Sequence, residues 1–137
     1  IADIHGRTMW KDIVTQEEPA QFIFLGDYWD SFCISFIEQL HNFRDIIEYK
    51  KNNPETVLLI GNHDASYFPG FLQTCSGYQE KYSYLIRQEM SVNQEVFKIA
   101  YIRDKFLFTH AGITKTFLNH VFGEEGWDMN KIDEQLN

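Results

Sequence analysis

The chain has 137 residues, of which 44% are hydrophobic, and this suits a single globular domain with a buried core. We therefore expect one domain over residues 1–137. The net charge of −8 at pH 7 argues against nonspecific nucleic-acid binding, which needs clustered Lys and Arg side chains to displace counterions. No apolar run approaches the ~20 residues of a membrane-spanning helix, so we expect no membrane partner.

The two cysteines, Cys33 and Cys75, show no CxxC spacing. This argues against a disulfide scaffold and indicates a reducing compartment. We therefore expect a cytoplasmic protein.

Apolar periodicity predicts alternating helices and strands. The predicted helices cover residues 7–14, 34–49, 78–90 and 114–122, with a partial helix at 131–136. The predicted strands cover residues 1–2, 21–25, 56–60, 96–102 and 106–109. Strand 21–25, helix 34–49 and strand 56–60 form a β-α-β pattern, for which a right-handed crossover is expected.

Four predicted strands lead directly into Asp, Asn or His residues beside glycine. These loops are Asp3-Ile4-His5-Gly6, Gly26-Asp27-Tyr28-Trp29-Asp30, Gly61-Asn62-His63-Asp64 and His110-Ala111-Gly112. The carboxyl ends of strands are where α/β proteins place their sites. Each residue taken singly also fits a turn, a helix cap or a hydrogen-bonded strand end. The four loops together favour a functional site.

The residue types in these loops form a mixed oxygen and nitrogen ligand set. Asp3 and His5 point the same way in an extended segment, and Asp27, Asn62 and His110 converge if their strands are neighbours. Such a set suits Mn, Fe or Zn. A carboxylate such as Asp27 can bridge two cations, and two-metal sites assist phosphoryl transfer.

Two further residues suggest proton transfer. His63 directly follows Asn62, and Asp30 lies three residues beyond Asp27. A histidine that binds no metal and is oriented by a carboxylate is the arrangement expected of a general acid.

Taken together, the four loops resemble the serial motifs of the calcineurin-like metallophosphoesterases. Within that family they look most similar to the phosphoprotein-phosphatase branch, which includes bacterial and phage phosphatases and dinucleoside-tetraphosphate hydrolases. The resemblance spans residues 3–112. It implies an α/β fold, a four-layer α/β/β/α sandwich, with two metal ions at its strand ends.

The resemblance also implies a role for each ligand. Asp3 and His5 would bind the first metal, Asp27 would bridge, and Asn62 and His110 would bind the second metal. A bridging hydroxide would attack phosphorus directly, without a phosphoenzyme. His63 would protonate the leaving oxygen, with Asp30 holding it.

Two positions depart from the family pattern. Ser31 follows Asp30 where the branch usually has an arginine that grips the phosphate. Arg7 is a weak candidate for a substitute, with a solvated residue at a helix start as the alternative. Asp64 stands where glutamate is common.

A late Gly-His motif, which supplies another ligand to the second metal, is also missing. The only histidine after His110 is His120, which has no glycine before it and is expected within a helix. The missing motif and the short first strand predict a chain truncated at both ends.

The leading functional hypothesis is a metal-dependent hydrolase of phosphate esters, most simply a phosphomonoesterase similar to protein phosphatases. Its substrate would be a phosphorylated small molecule, a nucleotide or a phosphoprotein. A phosphodiesterase or nucleotide pyrophosphatase is the main alternative, and the aromatic loop from Tyr67 to Phe71 either stacks a base or caps the core. A non-catalytic binding scaffold with an incomplete metal site is the alternative from another class.

Overall fold

The computed structural model describes residues 1–17, 21–68, 70, 73–124 and 126–137. The helices in these ranges are α1 (Met9–Gln16), α2 (Phe36–Asn52), α3 (Asn62–Ala65), α4 (Ser83–Val92), α5 (Lys115–Phe122) and α6 (Ile132–Leu136). The strands are β1 (Ile23–Phe24), β2 (Val57–Leu59), β3 (Phe97–Lys98), β4 (Ala100–Arg103) and β5 (Phe106–Thr109). Short 3₁₀ turns at Glu80–Tyr82 and Gln94–Val96 precede α4 and β3.

The strands form two separate sheets. The first is parallel with the order β1-β2-β3, and the second is the antiparallel hairpin of β4 and β5. Helix α2 connects β1 to β2, which confirms the predicted β-α-β pattern. The mixed helix and strand content fits an α/β fold, whereas the four-layer sandwich and the truncation stay predictions.

The single strand predicted over residues 96–102 is divided between the sheets. Lys98 pairs with Leu59 of β2, whereas Ala100 pairs with Thr109 of β5. The chain leaves the parallel sheet at Ile99, whose side chain is exposed. The strand is interrupted because Lys98 and Ala100 pair with different strands, and not because of local strand propensity.

The first residues lie alongside β1 without being assigned as a strand. The backbone N–H of Leu25 donates to Ile1 O, and that of His5 donates to Asp27 O at 2.7 Å. These bonds hold the segment before His5 next to the loop that contains Asp27.

Helix α2 begins with a capping box. The Ser35 hydroxyl accepts the N–H of Glu38, and the Glu38 side chain accepts the N–H of Ser35. The helical spacing of Ile34, Ile37, Leu40, Phe43 and Ile47 predicts that these residues form the buried face. This is partly wrong, because Ile37 is exposed whereas the polar residues Gln39 and Asn42 are buried. Both polar side chains bond to loop backbone, Gln39 to Ile34 O and Asn42 to Arg7 O, which permits their burial.

The core joins the parallel sheet to α1, α2 and α4. Its largest members are aromatic side chains, namely Trp10, Phe24, Tyr28, Trp29, Phe36, Phe43, Tyr67 and Phe97. Tyr28 and Trp29 belong to the loop after β1, so this loop is anchored in the core. Within the described ranges, we find no helix long and apolar enough to cross a membrane.

Candidate metal centre

The loops that carry the predicted site residues have an unusual backbone. Asp3, His5, Asp27 and Asp30 all have positive φ angles, of 52°, 43°, 59° and 68°. Non-glycine residues rarely adopt this region, and such conformations concentrate at functional sites. The extended conformation that we assumed for Asp3 and His5 is therefore wrong, although both residues reach the site.

Two glycines let the loops after β1 and β2 approach closely. A Cβ atom on Gly61 would collide with the carboxylate of Asp27, and one on Gly26 would collide with the backbone of Gly61. Only glycine fits at this crossing. The close approach brings Asp27 and Asn62 to the same edge of the sheet.

Asp27 lies at the centre of the cluster. Its Oδ2 is 3.7 Å from Nε2 of His5 and 3.4 Å from Nε2 of His110. Asp27 forms one potential metal-binding group with Asp3 and His110 and another with His5 and His63, and the ligand atoms within each group lie within 4.8 Å of one another. The cluster thus shares a buried carboxylate between two groups of ligands.

Backbone carbonyls orient both imidazoles. Nδ1 of His5 lies 2.5 Å from Trp29 O, and Nδ1 of His110 lies 2.8 Å from Leu25 O. A carbonyl only accepts, so each Nδ1 carries the donated proton, and in the neutral imidazole each Nε2 is left with a lone pair. This is the usual way in which proteins prepare a histidine to bind a metal.

Asn62 faces His110. Its Oδ1 is 2.8 Å from Nε2 of His110, while its Nδ2 donates to the sulfur of Cys75 at 3.1 Å. If the His110 imidazole carries its proton on Nδ1 alone, Nε2 is also an acceptor, and this orientation sets two lone pairs against each other. A cation beside them relieves the repulsion, so the donor set fits a metal ion.

His63 and Asp30 form the predicted pair. Nδ1 of His63 lies 3.0 Å from Oδ2 of Asp30, and the hydroxyl of Tyr67 donates to Oδ1 of Asp30 at 2.5 Å. Burial raises the pKa of Asp30, and the hydrogen bonds from Tyr67 and His63 oppose this rise. The His63 ring meets that of His5 edge to face, with 4.9 Å between centroids. The pair therefore lies directly beside the cluster around Asp27.

Asp64 has a role that the sequence did not reveal. Its carboxylate is fully buried and accepts backbone N–H groups from Asp27 at 2.7 Å, Tyr28 at 2.8 Å and Gly61 at 2.8 Å. Burial raises its pKa to about 7, although these hydrogen bonds oppose the shift. Asp64 thus fastens the loops after β1 and β2 together. An acidic residue at the third position of a helix is the signal that could have found it.

A model of calcineurin-like phosphoesterases matches residues 1–135. The chain belongs to the calcineurin-like phosphoesterase family. Searches of curated proteins and of solved structures each gave no match. Membership makes the chain a phosphate-ester hydrolase in general, and the family typically binds divalent metal ions.

The phosphoesterase domain brings all five predicted ligands to one place. Asp3, His5, Asn62 and His110 surround the buried carboxylate of Asp27. The grouping differs in detail from the predicted assignment, because the ligand atom of Asp3 is grouped with His110 rather than with His5. The division of ligands between two metals stays a prediction.

The departures from the family pattern have local explanations. The Ser31 hydroxyl accepts the backbone N–H groups of Cys33 and Ile34, which is a turn-forming role. Arg7 is exposed, and its guanidinium donates to Asp3 O at 3.3 Å, so it lies at the edge of the phosphoesterase site. His120 lies within α5, as expected.

The aromatic loop is only partly described. Tyr67 is buried and packs face to face against Tyr78, with 4.8 Å between ring centroids. It therefore has no free face for a nucleobase. Phe71 lies outside the described residues.

Proposed function

We propose that this phosphoesterase is a dinuclear enzyme that hydrolyses phosphate monoesters. Asp3, His5, Asp27, Asn62 and His110 would hold two ions of Mn, Fe or Zn, with Asp27 shared between them. The support is the convergence of carboxylate, imidazole and amide acceptors on Asp27, together with the carbonyl-oriented imidazoles. When bound, such ions lower the pKa of water and neutralise charge on the phosphate.

The observation that carries the proposal is the contact of His63 with Asp30 beside this cluster, at 3.0 Å. The Asp30 carboxylate stabilises the protonated imidazole through Nδ1, which leaves the proton on Nε2 for the substrate. That proton passes to the leaving oxygen as an oxygen from water bonds to phosphorus and the bond between phosphorus and the leaving oxygen breaks. His63, now neutral, keeps its proton on Nδ1, which still donates a hydrogen bond to Asp30.

The backbone of His63 is fixed as well. Its N–H donates to Oδ1 of Asp27 at 3.0 Å. The bridging carboxylate and the general acid are thereby held in one arrangement, which suits a reaction that depends on positioning.

The substrate would be a phosphorylated small molecule, a nucleotide or a phosphoprotein. Ser31 offers no cation in place of the arginine that protein phosphatases use, so the exposed Arg7 is our candidate for contact with the phosphate. We expect a weaker role for Arg7 than for a bidentate clamp, because it donates to a carbonyl at the edge of the site.

The free state of Cys33 and Cys75 supports a reducing compartment, and we place the protein in the cytoplasm. We expect no nonspecific nucleic-acid binding, because the net charge is −8.

The experiment has two steps. Elemental analysis after supply of Mn, Fe and Zn should find about two ions per chain. Turnover of para-nitrophenyl phosphate should then exceed that of bis(para-nitrophenyl) phosphate. Preference for the diester would instead support the phosphodiesterase or pyrophosphatase alternative, and a chain that binds metal without turning over either ester would support the scaffold.

A matched pair of variants tests the role of His63. His63→Asn should lower turnover of phenyl phosphate, whose basic leaving group needs a proton, by about 100-fold or more if His63 is the general acid. His41→Asn, at an exposed position of α2, should leave turnover unchanged. Equal turnover by His63→Asn and the unaltered protein would refute the assignment.

A further inference from the structure

Tyr67 holds the oxygen of Asp30 that His63 does not use. The Tyr67 hydroxyl donates to Oδ1 of Asp30, whereas Nδ1 of His63 bonds to Oδ2. Burial and the bond to Asp30 raise the pKa of Tyr67 far above its usual value, so its hydroxyl keeps the proton that it donates. Asp30 is thus fixed at both oxygens.

Tyr67 is itself held in place. Its hydroxyl accepts the backbone N–H of Gln79 at 2.9 Å, and its ring stacks against Tyr78. The side chain of Gln79 donates to Oε1 of Gln39 at 3.0 Å. The phenol of Tyr67 is therefore held by the Tyr78 ring and by hydrogen bonds to Asp30 and from Gln79.

The chain of hydrogen bonds returns to the loop that carries Asp30. Oε1 of Gln39 also accepts the backbone N–H of Ser31 at 3.2 Å, and Gln39 Nε2 donates to Ile34 O at 2.7 Å. Asp30 needs this support because its φ of 68° is disfavoured and its side chain is buried. Both the backbone and the carboxylate of Asp30 are thus held by one network.

We propose that Tyr67 is a positioning residue that aims His63 through Asp30 at the leaving oxygen. This inference rests on the proposed role of His63 as the general acid. Without the phenol, the carboxylate of Asp30 can rotate, and the imidazole loses its fixed direction. Misplacement of a catalytic group by a fraction of an ångström to 1 Å slows the step that it assists.

The test compares two monoesters that differ in their need for a proton. Para-nitrophenolate leaves readily without protonation, whereas phenolate is more basic and depends on the general acid. Tyr67→Phe should lower kcat for phenyl phosphate on the order of 10-fold more than kcat for para-nitrophenyl phosphate. Because both rates come from the same preparation, their ratio does not depend on the fraction of folded protein.

Two further variants serve as comparisons for Tyr67→Phe. His63→Asn should change the ratio in the same direction and further, whereas Tyr84→Phe, which removes an exposed hydroxyl from α4, should leave it unchanged. A changed ratio in His63→Asn with an unchanged ratio in Tyr67→Phe overturns the role of Tyr67 alone. Unchanged ratios in both variants overturn the general acid and the role of Tyr67 together.

A second readout does not need turnover. In metal-free protein with ¹⁵N-labelled histidine, the Nδ1 proton of His63 should give an observable resonance, because its hydrogen bond to Asp30 slows its exchange with water. Tyr67→Phe should shift or broaden this resonance, and Tyr84→Phe should not. An unaltered resonance in Tyr67→Phe overturns the positioning role, even if the unaltered protein turns over neither ester.

Discussion

Asp27 bonds to the backbone of His63 through Oδ1, at 3.0 Å, while its Oδ2 faces the imidazoles of His5 and His110. One buried carboxylate therefore links the proposed metal ligands to the proposed general acid. Its two oxygens have separate partners. A substitution that removes the charge of Asp27 but keeps its shape can therefore test its role towards the metal ligands.

Asp27→Asn keeps the size of the side chain and one acceptor oxygen but removes the negative charge. We expect the metal content to fall from about two ions per chain to one or none, because the shared ligand is lost. Elemental analysis after dialysis measures this. Asp12→Asn, at an exposed position of α1, serves as the control, and retention of both ions in Asp27→Asn would contradict the bridging role.

Asp64→Asn should destabilise the fold rather than alter the chemistry directly. The buried carboxylate accepts backbone N–H groups from Asp27, Tyr28 and Gly61, and a single amide oxygen cannot replace both carboxylate oxygens. We expect the free energy of unfolding to fall by about 1–3 kcal/mol. Urea unfolding with a chelator present measures it.

The control for this prediction removes a surface carboxylate. Asp45 forms an ion pair with Lys11 in which both side chains are nearly half exposed. Asp45→Asn should change the free energy of unfolding by no more than about 1 kcal/mol. An equal loss in the two variants would show that Asp64 does not fasten the loops.

Cys75→Ala should weaken binding of one metal ion. The sulfur of Cys75 accepts a hydrogen bond from Nδ2 of Asn62, which turns Oδ1 towards His110. Loss of such an outer partner should lower the affinity of the Asn62 site about 10-fold. Titration with Mn measures the affinity, and Cys33→Ala, which removes an exposed thiol, is the control. Identical Mn affinities in the two variants would contradict a role for Cys75.

Metal addition should stabilise the protein. The ligands around Asp27 are gathered only in the folded chain, so a metal ion binds the folded state in preference to the unfolded state. At a free concentration of 100 times Kd, the gain is about 2.7 kcal/mol for one site. Differential scanning calorimetry should show a higher Tm with Mn, and Asp27→Asn should show a smaller rise. An unchanged Tm for the unaltered protein would argue against a preorganised site.

The sequence predicted the β-α-β unit and the meeting of the four loops, because buried apolar strands and strand-end polar residues are local patterns. It misjudged the buried face of α2, where apolar periodicity pointed to Ile37. Gln39 and Asn42 lie inside because loop carbonyls satisfy their amides, and no periodicity reports such partners.

The supporting residues of the site were equally hidden. Asp64 and Tyr67 act through contacts with residues 36–37 positions away along the chain, which only the tertiary structure brings together. The division of residues 96–102 between two sheets has the same origin, since Lys98 and Ala100 pair with different strands. Ligand types were therefore predictable, whereas the residues that orient them were not.

The positive φ angles at Asp3, His5, Asp27 and Asp30 cost stability at the residues of the proposed site. Each such residue costs about 1 kcal/mol or more relative to a relaxed conformation, and glycine would remove much of that strain. At Asp3, whose side chain is exposed, glycine would relieve this strain without removing a buried carboxylate. At Asp27 and Asp30 this strain is offset by hydrogen bonds of the two carboxylates to His63.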